Sequence, residues 1–216
     1  MDSLIQTIAV YALPVLFGIT LHEAAHGYVA RMFGDPTAYE AGRISLNPIR
    51  HVDPIGTIAV PLFLLFSTKL LGGAGVLFGW AKPVPVDWGR LRNPKRDMLW
   101  VALAGPASNL VMAVLWTISL RLLHGNGVAP DSFWALMAIA GIQINLVLMA
   151  LNLFPLPPLD GGRIVFSLLP SSLAFKYAKL EPYGLLILIV LMLTGVLWAL
   201  LTPLLALGQT IVNWFW

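Results

Sequence analysis

Four stretches of this chain are long and apolar enough to cross a lipid bilayer as helices, and this constrains its fold more than any other feature. A hydrocarbon core of about 30 Å takes roughly 20 apolar residues in helical form. Residues 3–21, continuing as helix to about 33, meet that standard, as do 98–120, 132–154 and a span within 183–207. Lipid offers the backbone no hydrogen-bond partners, so a crossing segment must be an α-helix or part of a closed barrel, and runs of this length read as helices. Only 11% of the 216 residues are charged, against about a quarter in soluble domains, too few to cover a water-exposed surface. The mean hydropathy of +0.83 points the same way. The expected fold is an all-α polytopic membrane protein of about five to six transmembrane helices. A short β-like or re-entrant segment is expected between the first helix and the one that starts at Met98. Residues 1–216 are read as one membrane-embedded domain.

The ambiguous stretch is 54–80, apolar but interrupted by Lys69 and by Gly72, Gly73 and Gly75. Irregular backbone is tolerated at depth only where it is buried in protein or lines a wet cavity, which makes this stretch a candidate cavity wall. Residues 35–53, with Pro36, Gly42 and Pro48, read as turns and short strands at the membrane surface.

The formal charge is +3, but the basic residues sit in loops between apolar runs, where headgroups and topology explain them without nucleic acid. Arg43, Arg50, Lys82, Arg90, Arg92, Lys95, Arg96, Arg163, Lys176 and Lys179 place the loops at 34–53, 82–97 and 161–181 in the cytoplasm. The N-terminus and the loop near Gly125 then lie outside, and 54–80 enters and leaves on one side; a single crossing there would invert everything downstream. No removable signal peptide is expected, because no basic region precedes the first apolar run. The absence of cysteine excludes disulfides, thiolate metal sites and cysteine nucleophiles.

The first helix carries Leu21-His22-Glu23-Ala24-Ala25-His26, an HExxH pattern. Positions i and i+4 share a helix face, so His22 and His26 can reach one zinc ion while Glu23 stands beside the site as a general base. The ordinary alternative is a helix end at the headgroups with all three groups hydrated, but charge inside a membrane helix is expensive and points to function. Val29 and Met32 stand where a metzincin would need glycine and histidine, which excludes that class. The acids open to a third ligand role are Asp35, Glu40, Asp53, Glu181 and Asp160. The orientation rule alone brings Asp160 to the depth of His22 and His26; a turn aspartate before Gly161 is its bland reading.

With His22-Glu23-x-x-His26 and Asn152-x-x-Pro155-x-Pro157-x-x-Asp160-Gly161 both present, the chain resembles the site-2 protease family of intramembrane zinc metalloproteases. The segments Gly42–Pro48, Asp53–Thr57, Gly79–Val86 and Ala104-Gly105-Pro106 are similar to the compact bacterial and archaeal branch, with no inserted stretch long enough for a PDZ or CBS domain. The resemblance implies one zinc per chain held by His22, His26 and Asp160, with Glu23 as the catalytic base. It implies that Asn152 is a substrate or transition-state contact. It also implies regulated proteolysis of transmembrane helices after they unwind, at an active site near the cytoplasmic face of the cell membrane.

His51 is the nearest spare ligand. Its ordinary reading is an interfacial histidine in a turn; the alternative is a resting-state zinc ligand, with the polar loop as a lid. Asn109 and Asn145 read as polar glue between helices, with a role near the zinc as the lesser alternative. Two rival functions remain at this level: a catalytically silent scaffold that binds transmembrane helices, and a metal transporter. A scaffold has no use for Glu23, and the only other histidines, His51 and His124, lie in loops rather than along a path.

Overall fold

The computed structural model describes residues 2–60 and 81–216. Helix α1 (Asp2–Met32) is followed by the single turn α2 (Thr37–Glu40) and by a tight 3-10 turn at Pro48–His51. After an irregular stretch at 81–87 and a second 3-10 turn at Trp88–Arg90 come α3 (Pro94–Gly125) and α4 (Phe133–Leu153). The C-terminal part consists of α5 (Asp160–Leu168), α6 (Ser171–Ala178), α7 (Glu181–Leu193) and α8 (Val196–Asn213).

Helices α1, α3 and α4 pack against one another and form the centre of the bundle, with α8 packed against α4 and, less extensively, α3. Lipid tails are as apolar as leucine, so burial cannot drive this association and close approach of backbones must. The contacts are accordingly made through small residues. A Cβ on Gly141 of α4 would come 2.4 Å from the Trp116 ring of α3. One on Gly208 of α8 would come 2.8 Å from both Leu146 and Met149. Ala113 and Ala150 are completely buried in the same cluster, with Leu156, Leu188 and Leu201. The outward faces carry Ile5, Ile8, Leu115, Leu122, Leu186 and Leu193, all exposed. Such a belt would be a severe aggregation hazard in water and is the expected surface in a bilayer.

Two expectations are corrected. No β-strand is found among the described residues. Residues 35–53 form α2 and the Pro48–His51 turn instead of short strands, and the following Pro54–Ala59 is helical, of π type. The cause is proline-initiated helical capping. Pro48 and Pro54 stand at first-turn positions, the Asn47 side chain accepts from Ile49 N, and that of Asp53 accepts from Ile55 N and Gly56 N. The remainder of the segment expected to be re-entrant, 61–80, lies outside the described residues. The second concerns the number of spans: about five to six were expected, and four helices among the described residues reach bilayer length. The last apolar run does not cross unbroken, because Gly195 at φ 75° ends α7 after 13 residues and begins α8.

One end of the bundle is tied together by polar contacts. Gly34, at φ 108°, closes α1 with Asp35 N bonded back to Ala30 O. Asp35 is fully buried and accepts from Thr37 N at 2.9 Å and Asp87 N at 2.7 Å. Arg92 N donates to Phe33 O, and Lys82 N to His51 O. The loops at 34–53 and 82–97 therefore share one end, where α1 finishes and α3 starts. At that end α7 lies so close to the 155–159 loop that a Cβ on Gly184 would overlap Pro157 O. Gly184→Ala is therefore expected to destabilise the folded protein by about 1–3 kcal/mol, the usual cost of overpacking. Thermal unfolding in detergent checks this, and an unchanged midpoint would show that α7 is free to move away.

Candidate functional site

His22 and His26 stand one turn apart on α1 with their rings edge-on, centroids 4.7 Å apart. Each is oriented from behind by α3. The Nδ1 of His26 is 2.7 Å from Val101 O, and a carbonyl can only accept, so this nitrogen carries the hydrogen. The Nδ1 of His22 is 2.7 Å from Asn109 Oδ1. The amide nitrogen of Asn109 is committed to Gly18 O and Asn145 Oδ1, both at 3.0 Å, and Asn145 in turn donates to Gly141 O. That chain fixes the Asn109 amide, so His22 also carries its hydrogen on Nδ1.

Both Nε2 atoms are left with lone pairs, and they face each other at 3.0 Å. Asp160 Oδ2 lies 3.2 Å from each of them. Three acceptors thus meet at one point, and Oδ2 is buried without a hydrogen-bond donor. Buried acceptors are normally satisfied; a metal ion at this point, or a proton on one of the imidazoles, relieves this set. Ligand bonds of 2.0–2.2 Å in a tetrahedral site separate the donor atoms by about 3.4 Å, close to the spacings found. His22, His26 and Asp160 are the one group of metal-type ligands among the described residues. Opposite them Gly105 of α3 leaves room for an ion, since a Cβ there would lie 2.4 Å from His26 Nε2 and 2.6 Å from His22 Nε2.

Asp160 is the first residue of α5 and is aimed by the loop before it. That loop contains a cis Pro157–Pro158 bond and is clamped on several sides. Gly161 and Gly162 pack directly on the backbone of Leu153, Phe154 and Pro157. The Tyr177 hydroxyl donates to Pro155 O at 3.0 Å, and burial pushes its phenol upward, so it remains a donor.

Glu23 points into a cavity of about 290 Å³ that is also lined by His22, His26, Asn152, Asp160 and Arg163. One of its oxygens, Oε2, accepts from Val84 N at 2.7 Å. Val84 belongs to the irregular 81–87 stretch, which Arg43 holds through Lys82 O and Pro83 O while Asp35 and His51 hold its two ends. Asn152 lines the cavity, with its amide donating to Leu148 O within its own helix. His51 is not brought to the cluster. It is buried, with Nε2 2.9 Å from Ser45 O.

Sequence reasoning underread Asn109 and Gly105. Asn109 is not glue alone but the partner of His22. The available signal was their spacing: Gly105 and Asn109 are i and i+4 on α3, a face as polar and as small as the HExxH face it meets.

An HExxH helix whose histidines converge with a buried aspartate, within a bundle of bilayer-length helices, defines an intramembrane metallopeptidase. Comparison with known proteins agrees. The model of peptidase family M50 matches residues 123–195, which include Asn152 and Asp160. YwhC of Bacillus subtilis, named by inference as a zinc metalloprotease, is 40% identical over 199 residues, covering 87% of this chain and 83% of its own. Rip2 of Mycolicibacterium smegmatis, named in the same way, is 32% identical over 84% of this chain and 66% of its own. The corresponding values for MJ0611 of Methanocaldococcus jannaschii are 28%, 68% and 64%. No solved structure matches the chain. The chain belongs to peptidase family M50, the site-2 protease family.

Removing the acceptor behind His22 frees that ring to turn. Asn109→Ala is expected to weaken metal binding by about 10–100-fold, the usual effect of losing a partner behind a metal-binding histidine. Competition against a chelator of known affinity measures this; unchanged affinity would show that Asn109 serves packing only.

Proposed function

We propose that this chain hydrolyses peptide bonds inside transmembrane helices of membrane-protein substrates, with one zinc ion per chain held by His22, His26 and Asp160 and with Glu23 as the general base. The observation that carries this reading is the meeting of three lone-pair atoms beside a carboxylate, in a cavity walled by membrane helices. When bound, zinc supplies Lewis-acid polarisation of the scissile carbonyl and lowers the pKa of water toward about 7.

The protein's own groups do the rest. Val84 N–H fixes Glu23 Oε2 and leaves the other oxygen to take a proton from the attacking water. As the water oxygen bonds to the carbonyl carbon and the C–N bond breaks, Glu23 passes that proton to the departing amine nitrogen. Asn152, which lines the cavity, is the proposed contact for the developing oxyanion. His22 and His26 hold their tautomers throughout, because their Nδ1 hydrogens are bound to Asn109 and Val101. A carbonyl inside a substrate helix is already bonded to an N–H four residues on, so the substrate must unwind locally before attack. His51, under the 81–87 stretch, remains a candidate lid residue through its backbone bond to Lys82.

The basic loops at 34–53, 82–97 and 161–181 support a site close to the cytoplasmic face of a cell membrane. The contacts of α5 with α3 and α4 support treating 1–216 as one catalytic domain.

The test is zinc content and cleavage in detergent, with a transmembrane-helix substrate. Wild type is expected to hold about one zinc, and His22→Ala and Asp160→Ala to lose or loosen it. Glu23→Gln is expected to keep the metal while cleavage falls by about 10²–10⁴-fold, the typical worth of a general base. Cleavage by Glu23→Gln at the wild-type rate would refute the assignment of the base. A well-folded wild type that takes up no zinc would favour the scaffold.

A further inference from the structure

The mechanism leaves one charged group on the cavity wall without a task. Arg163 stands three residues after Asp160 on α5, a spacing that puts both on one face of the helix. It lines the catalytic cavity and also a second cavity of about 240 Å³ behind Pro158, lined by Phe166, Tyr177 and Glu181. Its guanidinium lies 4.8 Å over the ring of Trp88, another residue of the catalytic cavity. Among the described residues its guanidinium makes no hydrogen bond or ion pair, with Glu181 or any other acid; the backbone carbonyl of Arg163 accepts from Ser167 Oγ.

Several other arginines near this end are held by polar partners, while Arg31 lies over the Tyr39 ring. Arg43 holds the carbonyls of Lys82 and Pro83, Arg50 holds that of Gly42, and Arg90 pairs with Glu40 and Asp87. A guanidinium held over an aromatic ring with no polar partner has its N–H groups free, in the fork geometry that matches a carboxylate. Trp88 also restricts the side chain, so less freedom is lost when a ligand binds. The cleft's own carboxylates, Glu23 and Asp160, are engaged with Val84 and with the histidine pair, and a divalent ion at that pair would leave the cleft net positive.

We propose that Arg163 is a specificity-determining residue that binds a carboxylate of the substrate next to the scissile bond. The proposal rests on the peptidase reading above. The carboxylate has two chemical sources: an Asp or Glu side chain within the unwound segment, or the terminal carboxylate of a substrate already shortened by another cleavage. Both present the same planar, bidentate acceptor.

The experiment uses the full-length, zinc-loaded protein in detergent with three matched apolar peptides. The first carries one Asp and an amidated C-terminus, the second Asn and an amidated C-terminus, and the third Asn and a free C-terminus. Binding is measured on Glu23→Gln, in which turnover is slowed, and kcat/KM on protein with Glu23 intact. At least one carboxylate peptide is expected to be preferred over the neutral one by about tenfold or more, the scale of a charge-assisted hydrogen bond. The preferred peptide identifies the source. Arg163→Gln is expected to bring the ratio close to one and Arg163→Lys to reduce it. Arg163→Glu is expected to reverse it toward a fourth matched peptide that carries Lys and an amidated C-terminus, a gain that misfolding cannot produce. Lys179→Gln, a neighbouring cation over Phe175, is expected to leave the ratio intact. The proposal is overturned if wild type shows no preference, if the preference survives in Arg163→Gln, or if that variant lowers kcat equally on all three peptides. Zinc content and cleavage of the neutral peptide report separately on the peptidase reading, so failure of one idea is not mistaken for failure of the other.

Discussion

Two imidazole nitrogens and a carboxylate oxygen aimed at one buried point repel one another unless a cation sits between them. Much of the architecture serves to hold that arrangement. The backbone carbonyl of Val101 and the amide of Asn109 prevent the rings from turning their N–H groups inward, where a proton could ease the conflict. Helix α3 therefore matters as much as α1, although α1 carries the motif. The same contact explains Gly105, since a side chain there would take the space that the three acceptors surround.

The third acceptor comes from a different part of the chain and must be delivered with similar accuracy. Gly161, Gly162 and Gly184 allow backbone to lie directly on backbone around the 155–159 loop, and Tyr177 ties down Pro155. On the opposite wall the polar stretch from Asp35 to His51 looks like mere surface connection in the sequence. Its structural role is to fix residues 81–87, and through Val84 N–H to fix Glu23. A buried aspartate far from the metal ligands thus helps to set the position of the base.

The parts of this account that were legible in the sequence share a physical reason. His22, Glu23 and His26 lie within five consecutive residues, so helical periodicity alone places them on related faces. The membrane adds a depth coordinate, and the distribution of basic loops brought Asp160 to the right depth without any knowledge of metal. Asn109 was legible only as a lesser alternative, because an asparagine in an apolar helix bonds to a neighbouring helix whether or not a metal ligand is there. The 35–53 segment was misread because proline and glycine break strands and initiate helical turns alike, and the local caps by Asn47 and Asp53 that decide between them were not weighed. The break at Gly195 was missed because α7 and α8 are equally apolar, and hydropathy does not register a change of direction.

The central claim is that α1 and α5 together provide a His–His–Asp site for zinc. X-ray absorption at the zinc edge of the wild-type protein in detergent tests it most directly. The account predicts a four-coordinate first shell at about 2.0–2.1 Å, with the multiple-scattering signature of two imidazoles and the remainder oxygen. A shell of three imidazoles would place another histidine where Asp160 is assigned, and an all-oxygen shell would remove the metal from the HExxH helix; either result would contradict the account.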